Sequence, residues 1–171
     1  MIKAIIGLGN PGPAHFFQRH NIGFRILDAL AQQHAGIWTH KPLMDLLTLS
    51  LGNHSIMLIK PQTFMNSSGK VIPFLAKQGV SVDQLLVVHD ELEKPFGTLS
   101  FKEGGSHKGH NGLRSIIEHC GADFVRFRFG IGRPAHKEDV PNYVLQNFDK
   151  NTEIVEPFIA KAVEMIIHKI E

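Results

Sequence analysis

Apolar residues along the chain fall into two patterns, short runs and longer stretches with helical spacing. Residues 3–8 and 85–88 are short, largely apolar runs, which are typical of strands buried on both faces of a sheet. Residues 124–131 alternate instead, with apolar side chains on one face and Arg126 and Arg128 on the other, as a strand with period two requires. Because such strands alternate with helical segments, the pattern predicts an α/β fold.

Helical spacing of apolar residues follows the predicted strands. A helix is expected after the first strand, with Gly36 available to end it, and a long amphipathic helix closes the chain over residues 154–170. Asn66 or Ser67 is a candidate N-cap for a second helix, and Asn111 for a third. These helices connect the strands in the way that an α/β domain requires.

A hairpin is predicted in the first half of the chain. Residues 45–51 and 55–60 have the composition of strands, and the Gly52-Asn53 pair between them suits a tight turn. Pro61 is expected to break the ladder after the second strand because proline has no N–H to donate. Residues 97–102 predict another strand.

Composition indicates one domain, which we assign to residues 1–171. The chain is 43% hydrophobic and 20% charged, and Lys plus Arg exceed Asp plus Glu by only two, as 18 against 16. Any basic surface for an anionic partner must therefore be local. The single Cys120 excludes an internal disulfide, and we expect a cytoplasmic protein because the chain shows neither a signal peptide nor an apolar run long enough to cross a membrane.

The first strand leads into Gly7-Leu8-Gly9-Asn10-Pro11-Gly12, which satisfies the G-x-G-x-x-G pattern of dinucleotide sites. A phosphate cradle needs backbone N–H groups at the start of the helix, and Pro11 and Pro13 each remove one. Asp28, at the distance of the usual acidic partner, falls inside a helix instead of at a strand end. We therefore expect no nucleotide cofactor.

Polar side chains gather where the predicted strands end, which is where open α/β sheets bind ligands. His20 and Asp90 lie there, together with the side-chain amides of Asn10, Asn66 and Asn111. A histidine oriented by a carboxylate can act as a general base near neutral pH, and amide N–H groups can stabilise an oxyanion. The alternatives are a solvated histidine before a helix and amides that only cap helices.

Other chemistries have weaker support. A serine nucleophile is possible in principle at Ser67, Ser68 or Ser106, but none lies in a G-x-S-x-G elbow. His107 and His110 fall in a glycine-rich loop, and with one cysteine in the chain we expect no metal site.

Two further groups of residues have more than one possible role. The strand arginines, with Lys102 nearby, are consistent with an anion site or with a solvated edge. Phe64 and Met65 are expected to fill the core unless another observation assigns them a ligand.

Four blocks of sequence together resemble the bacterial-type peptidyl-tRNA hydrolases, which cleave the ester that joins a peptide to the 3′ end of tRNA. The blocks, in order and at that family's spacing, are GLGNPG at 7–12 with RHN at 19–21, KPQTFMNSSG at 60–69, HDELEKPFG at 89–97 and GGSHKGHNGLRSI at 104–116. The similarity runs from about Ile5 to Gly132 and more weakly to the C-terminus. It implies a single α/β domain with a twisted, mostly parallel mixed sheet flanked by helices. It also implies a monomer that acts on peptidyl-tRNA without a cofactor.

The resemblance also implies roles for individual residues. His20 matches the general base, Asp90 the carboxylate that orients it, and Asn10 the amide near the scissile ester. The positions that match the family's substrate-binding residues are Asn66, Asn111, Phe64, Met65 and His110. Lys102 and Arg128 match the basic pair that takes the tRNA 5′-phosphate.

One position departs from the family. His15 stands where a Tyr is usual, followed by Phe16 and Phe17, and Gln18 replaces the usual Thr before the RHN motif. Because an imidazole can still stack on a base or donate a hydrogen bond, we assign His15 to substrate binding near the tRNA end.

Two other classes of function compete with this interpretation. A non-catalytic RNA-binding protein could share the fold, although His20, Asp90 and the three asparagines are intact. A general esterase or amidase would ignore the tRNA body, which the matches at Lys102 and Arg128 argue against. Residues 133–139 form a polar loop that could act as a flap over a cleft.

Overall fold

Seven strands and five α-helices make up the fold in the computed structural model, which describes residues 1–171. The strands are β1 (Ala4–Gly7), β2 (Thr39–His40), β3 (Met44–Leu51), β4 (His54–Pro61), β5 (Leu85–Glu91), β6 (Leu99–Glu103) and β7 (Val125–Gly130). The helices are α1 (Ile22–Gln33), α2 (Ile72–Lys77), α3 (Asn111–Cys120), α4 (Val140–Val144) and α5 (Glu156–Ile170). None of these helices combines the length and the apolar character that crossing a bilayer requires.

The strands form one mixed sheet in the order β2-β3-β4-β1-β5-β7-β6. The four central strands β4, β1, β5 and β7 are parallel, and the remaining strands pair antiparallel at the two sides. This mixed sheet confirms the predicted α/β fold class. The hairpin of β3 and β4 around Gly52-Asn53 also forms as predicted. The short edge strand β2 was missed because two exposed residues carry no period-two signal.

Helices cover both faces of the sheet, and each face holds its own hydrophobic cluster. Along β5 the side chains alternate, so that Leu86 and Val88 join the cluster under α1 and α5, whereas Leu85 and Val87 join the cluster under α2 and α3. Burial on both faces explains why this strand is an unbroken apolar run.

Several predicted boundaries and caps were wrong, each for a local reason. The N-cap of α3 is His110, not Asn111, because the His110 ring accepts the first amides of the helix. No side chain caps α2, which continues directly from a 3-10 helix over Met65–Val71. Pro61 belongs to β4, where it is the last residue and pairs with Met44, so the missing donor does not interrupt the ladder.

The chain diverges at the two central strands β1 and β5. From β1 it passes through α1 to the β2–β4 side of the sheet, and from β5 it passes to the β6–β7 side. A crevice opens at the carboxyl ends of strands at such a switch point. Gly23 lets α1 approach closely there, since a Cβ at this position would lie 2.5 Å from Leu8 N and from Val88 O. The residues just before α1 are thereby brought to the end of β5.

Candidate active site

The centre of this crevice is the carboxylate of Asp90, which two histidines contact from different elements. His20 Nδ1 lies 2.9 Å from Asp90 Oδ2, and His110 Nε2 lies 2.8 Å from Asp90 Oδ1. His20 comes from a 3-10 helix over Arg19–Asn21, and His110 from the turn before α3. Because a carboxylate only accepts hydrogen bonds, both ring nitrogens must donate. Asp90 therefore holds one N–H on each oxygen.

The ionisation of Asp90 follows from these contacts. Burial by itself raises the pKa of this carboxyl, but His20 and His110, through charge and hydrogen bonding, together hold the pKa well below its usual range. Asp90 is thus an ionised acceptor near neutral pH. The other ring nitrogen of His20, Nε2, makes no hydrogen bond to Asp90.

A third histidine, His89, lies beside this group with its ring edge against His110 at a centroid distance of 5.4 Å. His89 is 2% exposed, its Nδ1 lies 2.8 Å from Asp90 O, and its Nε2 has no hydrogen-bond partner. Burial, reinforced by His110, lowers the pKa of His89 to about 3. His89 is therefore a neutral ring at the floor of the crevice.

The lowered pKa of His89 predicts a loss of stability in mild acid. Below the ordinary histidine pKa of about 6.5, His89 takes up a proton in the unfolded chain but not in the folded chain. The free energy of unfolding therefore falls by up to about 1.4 kcal/mol per pH unit because of His89. Urea unfolding between about pH 7 and about pH 5 measures the effect, above the range in which Asp90 contributes. His89→Asn should flatten this dependence.

The control for this prediction is the exposed His136, whose replacement by Asn should leave the pH dependence of unfolding unchanged. Equal slopes for the wild type and His89→Asn would contradict the assignment of the acid sensitivity to His89.

Asn10 is held rigidly by a reciprocal contact with Asn21, the residue after His20. It lines a separate pocket and not the cleft around His20 and Asp90, the dyad. The Asn10 N–H donates to Asn21 Oδ1 at 3.0 Å, and Asn21 Nδ2 donates to Asn10 O at 2.8 Å. Asn10 Oδ1 accepts from Met65 N at 2.8 Å, so the side chain also fixes the start of the 3-10 helix. Asn10 Nδ2 takes no part in these bonds and stays available to a ligand. Sequence reasoning missed the role of Asn21, although its place directly after His20 was a signal.

Of the other predicted substrate residues, Asn111 lines the cleft around the dyad, whereas Asn66 and Phe64 are not part of its lining. Asn111 is exposed and lines the same cleft as His20 and Asp90. Asn66 is also exposed, and its neighbour Phe64 is 65% exposed, which fits a ligand better than the core.

Met65 and His15 lie apart from the lining of this cleft. Met65 is 5% exposed, and its Sδ would lie 2.5 Å from a Cβ at Gly112, so it packs against the start of α3. Its side chain is core, as its residue type suggested. His15 Nδ1 lies 2.9 Å from Gln18 Oε1, and the ring does not line the cleft. His15 therefore lies outside the lining of the cleft that contains His20 and Asp90.

The cleft around the dyad has a volume of about 130 Å³ and a basic wall. Lys102 and Arg128 line it, and Arg128 Nε donates to Ser100 Oγ at 3.2 Å while its guanidinium lies 4.0 Å from Glu91. Lys102 forms no salt bridge. These two side chains, predicted as an anion site, are thus brought together with the dyad.

Arg126 has a different role from its neighbour on β7. It is 2% exposed and donates to the carbonyls of Gly105, Ser106 and Ala122. The solvated edge considered for the strand arginines is therefore wrong at Arg126, which instead holds the glycine-rich loop in front of α3.

Residues 133–139 border the cleft without covering it. Arg133 pairs with Glu93 at 2.6 Å, which ties the segment to the chain just after β5. The following helix α4 contributes Val140, Pro141 and Val144 to the cleft wall.

A metal ion is the other ligand that this group of side chains suggests, since ligand atoms of His20, Asp90 and His110 lie within 4.8 Å of one another. Both ring nitrogens that face Asp90 donate a hydrogen bond to it, and His110 accepts with its second nitrogen from the backbone of α3. A metal would have to displace both protons, so the donor set fits a hydrogen-bonded dyad better than a metal centre.

Comparisons with known proteins agree with this geometry. The family model for peptidyl-tRNA hydrolase matches residues 4–171. A peptidyl-tRNA hydrolase of Sulfurimonas denitrificans is 44% identical over 95% of this chain and 89% of that protein, and one of Geotalea daltonii is 47% identical over 86% and 78%. The crystal structure of peptidyl-tRNA hydrolase from Acinetobacter baumannii superposes with a TM-score of 0.90 at 35% identity, covering 99% of this chain and 86% of that one.

The agreement covers the sequence motifs, the order of the strands and nearly the whole length of the chain. With the family model matching all but the first three residues and a relative at 44% identity over 95% of the chain, this protein belongs to the peptidyl-tRNA hydrolase family.

Proposed function

We propose that the chain hydrolyses the ester between a peptide, or an N-blocked amino acid, and the 3′ end of tRNA, with His20 as the general base that activates water. The observation that carries this proposal is the buried His20–Asp90 pair at the carboxyl edge of the sheet. Such a pair, with an N–H on the carboxylate and a free second nitrogen, is suited to deprotonate water near neutral pH.

The proposed reaction begins when His20 Nε2 takes a proton from water, whose oxygen attacks the ester carbonyl. Asp90 stabilises the imidazolium that forms, and Asn10 Nδ2 donates to the oxyanion of the tetrahedral intermediate. When the intermediate collapses, the C–O bond to the terminal ribose breaks and the ribose oxygen takes the proton from His20. The products are a free peptide and a tRNA that can be charged again.

The surroundings of the dyad have proposed roles in substrate binding. Lys102 and Arg128 bind the 5′-phosphate of the tRNA, since their charges lie in the wall of the same cleft. The exposed side chains of Asn66, Asn111 and Phe64 contact the peptide and the terminal nucleotide, and of these Asn111 lines the same cleft as the dyad. Met65 supports this surface from below.

The reaction needs no cofactor or metal ion, because water, the ester and the dyad account for every proton and bond. We propose a monomer, as the resemblance to the family implies. The substrate is a product of translation, and we place the reaction in the cytoplasm.

The test of the function compares two substrates, an N-acetylated aminoacyl-tRNA and a small ester of the same blocked amino acid. We expect release of the blocked amino acid from the tRNA at a kcat/KM far above that for the small ester. A general esterase would cleave both alike, and an RNA-binding protein would retain the tRNA without cleaving it.

Removing the charge of Lys102 should weaken tRNA binding without harming the chemistry. For Lys102→Ala we expect KM for the tRNA substrate to rise about tenfold at low salt and the slope of log KM against log salt to fall by about one. Cleavage of the small ester should be unchanged. Lys161→Ala removes the same charge from exposed α5 and is the matched control. An equal loss on both substrates would refute the phosphate role.

A further inference from the structure

His110 makes two sets of contacts at once, one with Asp90 and one with the backbone of α3. Its Nε2 faces Asp90 Oδ1 at 2.8 Å, while its Nδ1 accepts from Gly112 N at 3.1 Å and from Leu113 N at 3.3 Å. We propose that His110 is a positioning residue: its capping of α3 fixes its own tautomer, and its Nε2–H thereby holds the Asp90 carboxylate in place against His20. The proposal rests on the function proposed above and concerns its base.

The first step concerns the proton on His110. A ring nitrogen that accepts hydrogen bonds carries no proton, and Nδ1 accepts from two amides. A proton on Nδ1 would break both bonds and place an N–H at the positive end of the α3 dipole. The proton of the ring therefore lies on Nε2, where it donates to Asp90.

The second step concerns the contact between Asp90 and His20. One carboxylate oxygen is held by His110, so the side chain of Asp90 cannot turn away, and its other oxygen faces His20 Nδ1. The proton of His20 is drawn to Nδ1, and the lone pair is left on Nε2. The cap of α3 thus fixes, through His110, the position of the carboxylate that holds His20 with its Nε2 free to act as the base.

The site around this chain of contacts contains other charged and titratable groups. His89 lies on the same strand as Asp90, Glu91 follows it, and β6 and β7 add the basic groups Lys102, Arg126 and Arg128. None of these makes a hydrogen bond to the Asp90 carboxylate, which receives only the two histidine N–H groups. The His110 ring also packs directly on the His20 ring, with the centroids 4.9 Å apart, so a change at His110 reaches His20 both through Asp90 and through this contact.

Two substitutions separate the two contacts of His110. The side chain of Asn can replace the hydrogen bonds that Nδ1 makes, and the side chain of Gln can replace the one that Nε2 makes. His110→Asn keeps a good N-cap but loses the donor to Asp90. We expect its kcat to fall about tenfold with KM little changed, and the acidic limb of its kcat/KM profile to move to higher pH by about half a unit. The reason is that Asp90, with one donor fewer, binds a protonated His20 more strongly.

His110→Gln keeps an N–H that can reach Asp90 and loses the cap. We expect its pH profile to stay close to that of the wild type and its Tm to fall by a few degrees, about 3 °C. If the acidic limb moves in both variants or in neither, the proposal is overturned. A raised KM with an unmoved limb in His110→Asn would make His110 a substrate contact instead.

A spectroscopic measurement tests the proposal even where a variant fails to fold. In the wild type, ¹⁵N-detected couplings of the imidazole rings should show His110 with its proton on Nε2, and the opposite tautomer would overturn the proposal. His20→Ala distinguishes the role of His20 as the base from the positioning role of His110. Full activity in His20→Ala would refute the role of His20 as the general base in the proposed function, whereas loss of activity there with an unaltered His110→Asn would refute only the role of His110.

Discussion

Replacing His20 by alanine lowers kcat for N-acetylated aminoacyl-tRNA by about a thousandfold, because the variant has no group to take the proton from water. The remaining activity comes from substrate positioning and from the amide N–H of Asn10. Affinity for the tRNA should persist, since the basic wall of the cleft lies on β6 and β7 and does not depend on the imidazole. Single-turnover release of the labelled amino acid, with binding measured separately, tests both parts.

The matched control is His54→Ala, because His54 begins β4 at the opposite end of the parallel strands and should leave kcat unchanged. Near-normal turnover in His20→Ala would show that another group activates the water. Loss of both binding and turnover, with a lowered Tm, would show that His20 acts through the fold instead.

Asp90→Asn should lower kcat at least as much, although it changes only one atom. An amide offers one acceptor and one donor, whereas the structure points an N–H at each oxygen of Asp90. Since the His110 tautomer is held by the cap of α3, the amide oxygen must face His110 and the amide NH₂ must face His20. His20 then accepts at Nδ1 and carries its proton on Nε2, where it cannot act as a base. We expect kcat to fall by about three to four orders of magnitude.

This loss should appear in kcat and not in folding, because Asn fills the same volume. Circular dichroism and thermal unfolding of Asp90→Asn check the fold, and Asp123→Asn, at an exposed carboxylate before β7, is the control for the substitution itself. Turnover of Asp90→Asn within about tenfold of the wild type would contradict the orienting role of Asp90.

The chain by itself determines much of the fold because buried elements leave a direct mark on sequence. A strand covered on both faces must be apolar throughout, so the strands at 4–7 and 85–91 were visible, and so were the polar residues at their ends. The long helix α5 was visible for the same kind of reason, since its apolar stripe packs on the sheet. The four motif blocks indicated the family, which the family model over residues 4–171 confirms.

The arrangement of the site was decided only by the tertiary structure. Local propensity favours Asn111 over His110 as the cap of α3, because asparagine is the better N-cap, but the contact with Asp90, twenty residues away, holds the His110 ring in place to accept those amides. Arg126 and Arg128 look alike in sequence, and only the path of the loop before α3 buries one and leaves the other in the cleft. His20 and Asp90 are seventy residues apart, and the parallel pairing of β1 with β5 brings them together. Contacts between distant residues depend on how elements pack, which no local pattern records. The candidate residues could therefore be predicted, and the family resemblance paired His20 with Asp90, but the contacts of Asn21, His110 and Arg126 could not be predicted.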